Sequence, residues 1–137
     1  MRLTETHALR LAVALGSCVP LAAGGAGMLL GPHLLGFTGP ADLDSHFRYL
    51  SGLLFAIGMG FASTIPRIEA HSTRFRCLTA LVVTGGIGRL GSLLAIGTPS
   101  PVMLAALGME LLVTPGLALW QHRISGLSPA TVPPPPP

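Results

Sequence analysis

Four apolar runs dominate the chain, at about residues 8–30, 47–65, 75–97 and 101–121. Each is close to the roughly 20 residues that a helix needs to cross a hydrocarbon core about 30 Å thick. Such a core holds no water for exposed N–H and C=O groups, so a lone spanning segment must bond its backbone within itself, as an α-helix does. Half of the residues are hydrophobic, only 9% are charged, and the mean hydropathy is +0.67. Soluble domains carry about a quarter charged residues. The expected fold is therefore all-α: an integral membrane four-helix bundle running up-down-up-down. It would form one domain over 1–127, followed by a disordered proline-rich tail at 128–137.

Turn chemistry separates the runs: Gly31-Pro32 and Gly39-Pro40 in the first loop, Pro66 in the second, and Gly97-Thr98-Pro99-Ser100-Pro101 in the third. The last predicts a tight hairpin. Asp42 and Asp44 stand where they could cap the second helix, and Pro101 suits a first helical turn. All eight basic residues are arginine, and six of them (Arg2, Arg10, Arg67, Arg74, Arg76 and Arg123) fall with the two termini and the second loop, against Arg48 alone on the other side. The positive-inside rule then places both termini in the cytoplasm, as expected of a multi-pass protein of the cell inner membrane. The tail ends in five prolines, a polyproline II former with no packing face.

Several function classes have no support. No basic patch with interleaved aromatics points to nucleic acid, and no nucleophile elbow, phosphate loop or dinucleotide fingerprint is present. The five histidines show no HxxxH spacing, so neither a metal nor another cofactor is expected. Cys18 and Cys77 lie at depths differing by roughly 10 Å, too far for a disulfide, and read as buried thiols acting as small apolar residues. A lipoprotein-like Leu15-Gly16-Ser17-Cys18 follows Arg10, but the apolar run continues to Leu30, so the first helix is read as uncleaved.

Residues three and four apart share a helix face. In the third run that rule collects Ala80, Thr84, Gly85, Gly88, Arg89, Ser92 and Ala95 on one side, and leaves Val83, Ile87, Leu90 and Leu94 on the other. Helices in lipid associate by close backbone approach, so the small side is expected to pack and the bulky side to meet lipid. Met103, Ala106, Glu110, Thr114 and Gln121 form a stripe on the fourth run, as do Arg48, Gly52, Met59 and Ser63 on the second. Pro20 and Pro115 are expected to distort their helices.

Arg89 and Glu110 are single charges within long apolar runs. Counted from Pro99, the arginine lies ten residues before the turn and the glutamate eleven after it, so both are about 15 Å deep. Each alone would cost about 2.5–3.5 kcal/mol at a helix centre, and arginine cannot shed its proton. A bidentate ion pair is the economical solution. With Arg48, Ser92 and Thr114, these two residues make a candidate intramembrane polar site; no catalytic residue is assigned.

The stretches HFRYLSGL (46–53), IPRIE (65–69), FRCL (75–78), GGIGRLGSLLAIGTPS (85–100) and MELLVTPGLALWQ (109–121), in that order, resemble a bacterial family of small membrane proteins classified only as a domain of unknown function. The family pattern falls here on Arg48, Arg89, Ser92, Glu110 and Pro115. The resemblance implies a four-helix inner-membrane protein and no particular activity. Three readings follow. The leading one is a non-enzymatic structural or accessory subunit whose Arg-Glu pair fixes packing, its partners being the lipid bilayer and either another membrane protein or further copies of itself. The alternative is a small carrier or lipid- or anion-binding protein using Arg48, Arg89 and Glu110. A membrane enzyme with Glu110 as general base ranks third.

Overall fold

A computed structural model describes residues 2–126; the expected tail at 128–137 lies outside them. Among the described residues the elements are α1 (Arg2–Leu30), a 3₁₀ turn (Gly31–Leu35), α2 (Ala41–Ala62), a second 3₁₀ turn (Ile65–Arg67), α3 (Ser72–Ile96), α4 (Pro101–Gly108), a π-helical turn (Met109–Val113) and α5 (Thr114–Gly126). The last three are continuous, so four long helices result, each long and apolar enough to cross a membrane. The all-α four-helix architecture is that of a membrane protein. Its outer faces carry exposed Leu11, Leu15, Val19, Leu94, Val102, Leu112 and Leu119, which in water would be a severe liability and in lipid are the expected surface.

The helices overrun the apolar runs at several ends. α1 begins at Arg2 and α2 at Ala41, so polar residues flanking the apolar stretches are included in the helices. Asp42 and Asp44 sit in the first turn of α2 and make no capping hydrogen bond; Pro40 occupies the cap position. Pro20 lies inside α1 without interrupting it.

α1 and α2 run antiparallel, with Leu21 opposite Gly58, Gly24 opposite Phe55, and Gly27 opposite Ser51. At Gly24 a side-chain Cβ would lie 2.5 Å from the Phe55 backbone nitrogen. Glycine here lets two backbones touch, the means by which helices associate in lipid. The two helix pairs meet at the end carrying the 63–71 loop. Leu9 and Val13 of α1, Phe61 of α2, Ile68 of the loop and Phe75 of α3 form the buried core there. The Phe61 and Phe75 rings cross edge to face at 5.0 Å. Beyond this core the pairs separate: α1 and α2 keep each other's company, and α4 and the π turn pack on α3.

The rotation of α3 differs from the expectation. Ala80, Thr84, Ser92 and Ala95 are exposed, and a Cβ on Gly85 or Gly88 would meet no atom within 4 Å. The packed face instead runs through Phe75, Val82, Gly86, Arg89 and Leu93, and it half-buries Val83 and Leu90. Residue size failed as a guide because a small side chain facing lipid carries almost no penalty. The burial of Phe75 and the approach of Leu111 to Gly86 decide the rotation. The thiols need a similar correction: Cys18 and Cys77 are free but exposed on the outer surface, not buried.

Candidate functional site

The α3–α4 hairpin turns at Gly97, whose φ of +116° suits glycine alone, and Pro101 opens α4 in its first turn. From this turn Arg89 and Glu110 come level. Arg89 Nε donates to Glu110 Oε2 at 3.0 Å and Nη2 donates to Oε1 at 3.1 Å, a bidentate fork. Arg89 Nη1 also reaches Met103 Sδ at 2.9 Å, one sulfur acceptor two turns along α4 from the glutamate. The side chains keep 33% and 19% of their surface exposed, so the pair is largely enclosed by protein in a region otherwise surrounded by hydrocarbon.

Two local devices hold it. Gly86 precedes Arg89 by three residues on the same face, and a Cβ there would lie 2.7 Å from Leu111 Cδ2 and 3.0 Å from Glu110 Cβ. Its missing side chain lets the two backbones close until the carboxylate reaches the guanidinium. The second device is the π turn. Pro115 has no N–H and its ring opposes the carbonyl four residues back, so the α-helical ladder cannot pass through unchanged. The chain widens over Met109–Val113, where Thr114 N–H bonds to the Met109 carbonyl five residues earlier. Thr114 Oγ1 donates to the same carbonyl at 2.9 Å. Such single wide turns re-aim the residues that they contain, and Glu110 is one of them.

The other candidate residues sit elsewhere. Thr114 spends its hydroxyl on the Met109 carbonyl and Ser92 is exposed, so neither belongs to the pair. Arg48 pairs with Asp44 through Nε at 2.7 Å, and its Nη1 donates to the Met28 and Leu29 carbonyls at 2.7 and 2.9 Å. It therefore closes the C-terminus of α1, whose last carbonyls have no intrahelical donor. Gly31, with φ of +62°, passes directly beneath: a Cβ there would meet Asp44 Oδ1 at 2.5 Å and Arg48 Nη2 at 2.8 Å. The four-residue spacing of Asp44 and Arg48 was the sequence signal for this arrangement.

A polar cluster at the opposite end was not anticipated. Gln121 is fully buried, and its Nε2 donates to the Ile68 carbonyl at 2.7 Å and to Ser72 Oγ at 3.0 Å. Nearby, Arg10 of α1 pairs with Glu69 at 3.3 Å. Together these tie the loop between α2 and α3 to α1 and α5. Among the described residues no three of His, Cys, Asp and Glu converge as metal ligands would.

Chemically, the arrangement offers one neutralised intramembrane pair, one helix cap and one loop anchor. Searches against curated proteins and against solved structures return no match. A family profile does match, over residues 8–121, and the chain accordingly belongs to the family defined by a domain of unknown function, DUF4345.

Proposed function

We propose that the protein is a non-enzymatic structural or accessory subunit of the cell inner membrane, with both termini cytoplasmic. The observation that carries this reading is the internal use of the candidate polar groups. Glu110 binds Arg89 through both oxygens, and Arg48 is occupied by Asp44 and two backbone carbonyls. A general base needs a carboxylate within reach of a substrate proton, and a carboxylate held by a guanidinium fork is a poor one. The shared anion site of Arg48, Arg89 and Glu110 finds less support, since Arg48 bonds only within the α1–α2 pair while the other two join α3 to the π turn.

The partner class that fits is another apolar helix, from a second copy or a different membrane protein. The face of α3 through Thr84, Gly88 and Ser92 is small and open, and small residues at four-residue spacing are what intramembrane helix contacts use. A photo-crosslinking amino acid at position 88, in native membranes, should give a discrete adduct that position 11 on the bulky face of α1 does not. Identical lipid-only labelling at both positions would sink the reading.

A further inference from the structure

We propose that the groove between α2 and α3 holds an acyl chain of one anionic phospholipid, with the phosphate seated on Arg74. This site is separate from the Arg89–Glu110 pair and does not depend on the function proposed above.

The groove measures about 310 Å³ and is lined by Leu53, Ala56 and Ile57 of α2 and by Leu78 and Leu81 of α3. Water there would find none of the two to four polar partners that it needs. A flexible hydrocarbon chain fits, and the groove opens on a surface that faces hydrocarbon.

The polar end follows from helix geometry. Arg74 precedes Leu78 by four residues and Leu81 by seven, so it continues the groove-lining face of α3. Ser63 follows Ala56 by seven and Gly60 by three, and so continues that of α2. The two meet across the mouth, where Arg74 Nη1 donates to Ser63 Oγ at 3.2 Å. Along the axis Arg74 stands about 6 Å from Leu78 and about 10 Å from Leu81, the order in which a phosphate and its chain follow one another.

Charge selects the headgroup. Among the described residues the three ion pairs engage Arg10, Arg48 and Arg89; Arg67, Arg74, Arg76 and Arg123 pair with no carboxylate, and Arg74 is the one whose bond to Ser63 sets it at the groove mouth. Its exposed planar fork matches phosphate oxygens, and the bond to Ser63 fixes its direction.

The full-length protein, reconstituted in nanodiscs of equal parts phosphatidylglycerol and phosphatidylcholine and released for native mass spectrometry, tests the proposal. Wild type should retain one lipid, with phosphatidylglycerol favoured roughly five-fold, the effect of about 1 kcal/mol per arginine near an anionic surface. Arg74→Gln should abolish the preference while keeping the lipid. Arg76→Gln, two residues along and off the groove face, should leave the preference unchanged. Ala56→Phe should lose lipid of both kinds, and Leu53→Trp should do the same if Ala56→Phe proves unfolded. A preference that survives Arg74→Gln, or falls equally in Arg76→Gln, overturns the headgroup assignment. Undiminished retention in the groove-filling variants overturns the site.

Discussion

Breaking the Arg89–Glu110 pair from either side should have unequal consequences. Replacing Glu110 by Met leaves a guanidinium that cannot deprotonate, with only the Met103 sulfur, a weak acceptor, in reach. The residual charge should destabilise the fold by about 3 kcal/mol, the lower part of the range for a broken buried pair, because a third of the arginine side chain is exposed. That is more than a hundredfold in the folding equilibrium. Arg89→Met should be milder, at about 2 kcal/mol, because Glu110 can take up a proton and then forfeits mainly its hydrogen bonds. The double variant places two flexible apolar side chains against apolar neighbours and should fall within about 1 kcal/mol of wild type. The assay is equilibrium unfolding in mixed micelles titrated with an anionic detergent, run on all four proteins as a double-mutant cycle. Additive losses in the double variant, or equal stability of both single variants and wild type, would refute the pairing argument.

Three further outcomes follow from the same geometry. Gly86→Val should separate α3 from the π turn, because Leu111 and Glu110 both stand within 3.0 Å of the added carbon; an overpacking loss of about 1–3 kcal/mol is expected in the same titration. Arg48→Gln should release the end of α1, read as faster hydrogen exchange confined to residues around 28–35, and unchanged protection there would contradict the capping role. Gln121→Leu should leave the buried Ile68 carbonyl without its side-chain donor and destabilise the protein by about 1–3 kcal/mol, with increased proteolysis of the 63–71 loop as the accompanying readout.

Much of the fold was readable because a bilayer removes choices. Run length, turn residues and the helix-only rule gave an all-α chain of four long apolar helices, although α1 and α2 each begin six residues before their apolar runs. Depth counting from Pro99 likewise brought Arg89 and Glu110 to one level, since a tight hairpin leaves little room for slippage. Rotation about the helix axis was less legible. A soluble helix announces its buried face by hydrophobicity, whereas in lipid both faces of α3 are apolar, and the contacts of Phe75 and Gly86 with distant residues set the answer. Arg48 was misplaced for a related reason. An arginine beside an apolar run suggests an inward-facing charge, yet this one lies at a helix end where Asp44 and the free carbonyls of α1 satisfy it. Gln121 lay on the expected polar stripe of the fourth run, but its partner could not be named, because its acceptor is the backbone of Ile68, and a backbone carbonyl leaves no mark on sequence. Pro115 did announce a distortion; that it takes the form of a π turn aiming Glu110 at α3 depended on tertiary contact.

The most direct test of the central claim, that the intramembrane charges neutralise each other to fix the α3–α4 hairpin, is a dipolar distance. Solid-state NMR on the protein in bilayers, with the Arg89 guanidinium nitrogens and the Glu110 carboxyl carbon labelled, reads it without mutation. The expected result is a strong coupling between an ionised carboxylate and a guanidinium in direct contact, in keeping with the 3.0 and 3.1 Å hydrogen bonds. A protonated Glu110 with no measurable coupling to Arg89 would contradict it.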